Sequence, residues 1–137
     1  MIETLKLNNV HYMPRELEPG ILYVSNEFEI AAHMCPCGCG NKIITPLGPT
    51  DWSLIIRKDK PTLFPSIGNW QLPCKSHYWI RDGSIKWSYQ WTEKQILAGR
   101  QKEDRRRKIH YSNTEQKKKN QSIFRRLINW LLPKNKI

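Results

Sequence analysis

Three of the four cysteines in this chain fall within six residues, Cys35-Pro36-Cys37-Gly38-Cys39-Gly40, and the fourth stands far downstream in Cys74-Lys75-Ser76-His77. A disulfide framework does not suit this spacing, because Cys35, Cys37 and Cys39 are too close along the chain to pair comfortably with one another. Thiolates bind zinc or iron through negative sulfur, and the intervening glycines let the backbone turn around those sulfurs. A Cys/Gly/Pro knuckle closed by a remote Cys-x-x-His therefore predicts a small fold stapled by metal.

At 137 residues the chain fits one domain with a modest core, short enough for such a staple to matter. No charged start precedes an apolar run of roughly 7–15 residues, and no stretch approaches the roughly 20 apolar residues of a membrane span. The expectation is a cytoplasmic protein with neither signal peptide nor transmembrane segment. There the glutathione pool disfavours disulfides, and the thiols are left for ligation.

Charge divides the chain. Residues 1–91 carry nine Lys/Arg and eight Asp/Glu, whereas residues 92–137 carry fourteen and four, so nearly all of the net +11 belongs to the tail. This predicts a metal-binding β domain over 1–91 and an appended basic segment over 92–137.

Strand signals dominate the first part. Glu18-Pro19-Gly20 reads as a turn, followed by the β-rich Ile21-Leu22-Tyr23-Val24 and an extended Phe28–Cys35. In that segment Phe28, Ile30, Ala32 and Met34 face one way, while Glu29, Ala31, His33 and Cys35 face the other. Short strands are expected at 42–45 and 52–56, and chain breaks at 46–49 and 65–70. The clearest local signal is a hairpin, His77–Arg81 and Ser84–Tyr89 around Asp82-Gly83, a pair that tolerates the positive φ of a type I′ turn. Its register pairs Ile80 with Ile85 and Tyr78 with Trp87, and it places His77 on the opposite face beside Cys74.

Six side chains compete for a tetrahedral site that needs four: Cys35, Cys37, Cys39, Cys74, His77 and His33. Cys₃His zinc is the leading reading, since thiolate-rich closed sites are zinc's usual structural form. The alternative cofactor is a Rieske-like iron–sulfur cluster on His33-x-Cys35 and Cys74-x-x-His77, although the Cys/His order is reversed. A catalytic zinc would need an open position and a base, for which Glu29 is the nearest candidate.

The segments Glu29–Gly40 (EIAAHMCPCGCG), Thr45-Pro46-Leu47 with Thr50-Asp51-Trp52, Pro65–Trp70 (PSIGNW) and Cys74–Ile80 (CKSHYWI) occur in one order. They resemble a bacterial family of predicted metal-binding proteins of unknown function, over roughly residues 18–91. The resemblance implies a metal site and genomic company with ubiquitin-like conjugation systems and defence islands. Residues beyond about 100 lie outside it.

The tail is read on its own chemistry. Thr92-Glu93-Lys94-Gln95 is a capping box, with Trp91 and Ile96 at the hydrophobic-staple positions, and predicts a helix from about 93. The helix either stops at Gly99 or continues through residues with no apolar stripe, which leaves it solvated or bound to something. Arg105, Arg106, Arg107 and Lys108, with Lys117, Lys118 and Lys119, would neutralise phosphates or another anionic partner. A basic amphipathic helix over about 122–132, stopped by Pro133, is too short to stand alone, so it should dock on the domain, a partner groove or a membrane surface.

The sequence thus describes a mostly β, zinc-stapled antiparallel domain followed by a basic, partly helical tail. The expected function is an accessory or scaffold module that engages a protein or anionic partner, in the setting of a bacterial ubiquitin-like conjugation or defence system. A zinc-dependent hydrolase and a nucleic-acid-binding protein acting through its tail are the alternatives.

Overall fold

The computed structural model describes residues 1–132, so Pro133 lies outside the described residues. The chain folds as two compact units, Met1–Ile96 and Leu97–Ile137. The first is mostly β. Its first sheet has the order β1-β2-β3-β4, from Lys6–Asn9, Ile21–Ser25, Ile30–Met34 and Lys42–Pro46; the second has the order β5-β6-β7-β8, from Ser53–Arg57, Lys60–Gly68, His77–Arg81 and Ser84–Trp87.

The core follows from strand alternation. Leu22, Val24, Ala31, Cys35 and Ile43 from the first sheet's side join Leu63, Ile67, Tyr78, Ile80 and Ile85 from the second in one buried cluster. Burying each of the Leu, Ile and Val side chains in this cluster stabilises the fold by roughly 1.5–3 kcal/mol. The other face of the first sheet is also covered, where Leu17 packs with Tyr23 and Ala32. Double coverage explains why β2 is buried at almost every position rather than at every second one.

Most pairings are antiparallel, but β1 runs parallel to β2, with Lys6 opposite Ile21 and Asn9 opposite Val24. The polar Lys6-Leu7-Asn8-Asn9 carries no strand signal of its own. Its neighbours hold it: Leu5 N–H donates to the Gly83 carbonyl and Ile85 N–H to that of Glu3, so the N-terminal segment bridges the sheets. Ile2 N–H reaches the Pro36 carbonyl and ties the same segment to the cysteine knuckle.

The β7–β8 hairpin has the expected register, Tyr78 opposite Trp87 and Ile80 opposite Ile85, with positive φ at both Asp82 and Gly83. Two local expectations differ. Phe28 lies in the turn before β3 and is exposed. The chain does not break at 65: after a second hairpin, β5–β6, closed by Lys58-Asp59, both at positive φ, strand β6 runs on to Gly68, so most of the expected 65–70 break lies inside a strand.

Helix α1 runs without interruption over Glu93–Leu131. Its cap is the expected box, in which Gln95 N–H donates to Thr92 Oγ1 and Thr92 N–H to Gln95 Oε1. Gly99 does not end it. Oppositely charged residues at i and i+4, Glu103 with Arg107, Asp104 with Lys108 and Glu115 with Lys119, support a helix that buries no residue. No helix among the described residues is long and apolar enough to cross a membrane.

Candidate metal centre and serine–histidine pair

The knuckle begins where β3 ends. Cys35 N–H donates to the Asn41 carbonyl and Gly38 N–H to that of Cys35, while Gly38 and Gly40, both at positive φ, turn the chain back toward β4. Cys74 arrives from the turn before β7. The four sulfurs of Cys35, Cys37, Cys39 and Cys74 all lie within 4.8 Å of one another. Neighbouring separations are 3.4 Å for Cys35–Cys37, 3.8 Å for Cys39–Cys74 and 4.0 Å for Cys35–Cys74. A tetrahedral zinc with Zn–S bonds of about 2.3 Å requires sulfurs about 3.8 Å apart. The set therefore fits one tetrahedral ion such as zinc.

The surroundings suit a charged centre. Asn41 Nδ2 donates to Cys39 at 3.1 Å, Ser76 Oγ to Cys74 at 3.1 Å, and Asn69 Nδ2 to Cys35 at 3.8 Å. Ser76 Oγ also stands 3.4 Å from Cys35. Such outer hydrogen bonds orient metal-ligating sulfur and spread its charge. Burial pushes the Cys35 thiol up to about 12, whereas hydrogen bonds from the backbone and side chain of Asn41 draw Cys39 down to about 6. A cation beside Cys35 offsets the burial penalty of its thiolate.

Neither histidine joins the four-sulfur group. His33 is fully buried, with Nε2 2.7 Å from the Tyr78 hydroxyl and Nδ1 without a hydrogen-bond partner. Burial lowers its pKa to about 4, so the ring is neutral. Burial likewise raises that of Tyr78. Four thiolates complete a tetrahedron without an imidazole, so the geometry differs from the Cys₃His expectation, and the Rieske-like pairing is not assembled either. Glu29 is at the opposite end of β3 from Cys35. Six residues of extended chain put roughly 20 Å between them, too far for a base acting at the metal.

His77 belongs to a different arrangement, on the outer face of the second sheet. Its Nε2 is 2.9 Å from Ser66 Oγ, and its Nδ1 is 2.7 Å from the Tyr89 carbonyl oxygen. A carbonyl only accepts, so the ring proton sits on Nδ1 and the Nε2 lone pair faces the serine hydroxyl. Trp70 and Trp91, stacked on each other at 5.6 Å, meet the imidazole edge-on at 5.0 and 5.3 Å. His77 is thus buried while Ser66 keeps partial access to solvent.

Ser66 owes its place to a break in the ladder. Leu63 pairs with Ile80 and Ile67 with Tyr78, so β6 accommodates more residues than β7 between these points, and Ser66 lies within that bulge. Gly68 pairs with His77 and leaves room for the indole of Trp70, which a Cβ at that position would overlap. The sequence marked the 65–70 segment as a break and as one of the motifs of the family resemblance, without assigning Ser66 a role. Ser66 has no Gly-x-Ser-x-Gly setting, and its proximity to His77 exists only in the β6–β7 pairing.

The two features share one short segment. Ser76 contacts the cysteine sulfurs, His77 contacts Ser66, and Asn69 N–H donates to the Ser76 carbonyl. The tail residues Arg105–Lys108 and Lys117–Lys119 are exposed on α1.

A family model described as "Bacterial ubiquitination-like system serine protease (BubE)" matches residues 9–88, more than half of the chain. No curated protein and no solved structure matches it.

Proposed function

We propose a function that starts from family: the chain belongs to the bacterial ubiquitination-like system serine protease (BubE) family, and Ser66 and His77 are its acyl-transfer pair. The observation that carries this reading is the ordered relay from Ser66 Oγ to His77 Nε2, and from His77 Nδ1 to the Tyr89 carbonyl. It has the parts that nucleophilic catalysis needs, a hydroxyl, a base within hydrogen-bond reach and a group that fixes the base's tautomer.

In the proposed reaction Ser66 Oγ bonds to the carbonyl carbon of a peptide substrate as its proton passes to His77 Nε2. The tetrahedral adduct collapses, the C–N bond breaks, and the leaving amine takes the proton from the imidazolium. Water, deprotonated by the same nitrogen, then attacks the acyl-serine ester; the Oγ–C bond breaks and Ser66 regains its proton. The Tyr89 carbonyl keeps the ring oriented and faces the imidazolium with its negative end. Trp70 and Trp91 pack edge-on against the ring and hold it in place while leaving Nε2 open on the Ser66 side.

The cysteine centre supports this pair and takes no step in the reaction. Cys35, Cys37, Cys39 and Cys74 would hold zinc as a closed site, and a closed site leaves no position for substrate. Bound there, the metal supplies structural rigidity: it anchors Cys74 and, through Ser76, the start of β7 that carries His77.

Hydrolysis of an activated aryl ester such as p-nitrophenyl acetate tests the assignment. Ser66→Ala and His77→Ala should each lower turnover by about 10²–10⁴-fold with metal content unchanged. Turnover at the parent rate in Ser66→Ala would overturn it.

A further inference from the structure

We propose that residues 123–132 form an amphipathic helix that lies on anionic lipid bilayers. The end of α1 reads Ile123-Phe124-Arg125-Arg126-Leu127-Ile128-Asn129-Trp130-Leu131, and the next residue, Leu132, still donates its N–H to the Ile128 carbonyl at 2.9 Å. At about 100° per residue its apolar side chains cover an arc of about 200°, and Arg125, Arg126 and Asn129 fill the remainder. The apolar arc is open to solvent: Phe124 is 65 %, Leu127 52 % and Trp130 80 % exposed.

Width and charge decide the occupant. A helix seated in a protein groove or against a second copy needs an apolar stripe of only about 100° or somewhat more, and this arc is about twice that minimum. Self-association would also set Arg125, Arg126 and the Lys117–Lys119 run against their own copies, and the last acidic residue in the sequence is Glu115. Nucleic acid would satisfy the cations but offers no cover for Phe124, Leu127 or Leu131. A bilayer interface accepts the whole arc, takes Trp130 at headgroup depth, and presents anionic headgroups to the flanking cations.

The test is flotation of the full chain with vesicles of phosphatidylcholine alone and of phosphatidylcholine with phosphatidylglycerol, at low and high salt. The expected result is binding to the phosphatidylglycerol vesicles about tenfold or more tighter than to neutral ones, and weakened by salt. The Leu127→Glu/Ile128→Glu variant should lose binding by about tenfold or more. The Arg125→Glu/Arg126→Glu variant, which leaves the apolar arc intact, should lose the preference for phosphatidylglycerol. Circular dichroism on both variants identifies any loss of helix. No binding to anionic vesicles, equal binding to both kinds, unaltered binding by either variant, or binding to a DNA duplex in place of vesicles would each overturn the proposal.

Discussion

Ser66 and His77 show what a single residue gains from its neighbours. His77 was visible in the sequence as a potential ligand because it sits three residues after Cys74, a spacing that suits a metal half-site. The fold takes it elsewhere: strand alternation sends Ser76 and His77 to opposite sides, Ser76 to the sulfurs and His77 to the outer face. Ser66 could not be singled out, since a serine in a proline-flanked break looks like any turn residue until β6 and β7 are paired. Two substitutions separate the two sites. Ser76→Ala removes the hydroxyl that contacts Cys74 and Cys35, and metal affinity by competition with a chelating dye should fall by about 10–100-fold. Gly68→Ala puts a methyl group into the space of the Trp70 indole and displaces the ring beside His77, so ester turnover should drop while the metal stays bound.

The elements differ in how openly the sequence announces them. Asp82-Gly83 matches the chemistry of a type I′ turn, so the β7–β8 hairpin and its pairing were readable to the residue. Lys58-Asp59 makes a turn with positive φ at both positions without a glycine, and Pro61 lies inside the strand it opens; β6 was therefore hidden. The same physics predicts that Asp59→Gly relieves the left-handed conformation and raises the thermal midpoint, by about 0.5–1 kcal/mol in stability. β1 had no sequence signal because its partners, β2 and the N-terminal contacts to Gly83, are far along the chain. The capping box at Thr92 was readable, but the length of α1 was not, since α1 buries no residue and its course from Gly99 to about Ser122 carries no apolar stripe.

Across the whole molecule, the charge division noted in the sequence accompanies two units, a β body and a basic helix. A chain ending at Ile96 keeps every residue of the cysteine centre and of the serine–histidine pair. It should retain bound metal and ester turnover within about twofold of the full chain, while losing flotation with anionic vesicles. Stripping the metal should loosen the knuckle and the start of β7 together, lowering the thermal midpoint and ester turnover in parallel. On the proposed function, reactivity resides on Ser66 and the cysteines serve as a staple. The most direct measurement is reaction of the metal-loaded full chain with a fluorophosphonate, followed by mass-spectrometric mapping of the adduct. The expected result is one adduct, on Ser66, that is lost in His77→Ala with metal content intact; an unmodified Ser66 in the folded, metal-loaded protein, or an adduct there that forms equally fast without His77, would overturn the assignment.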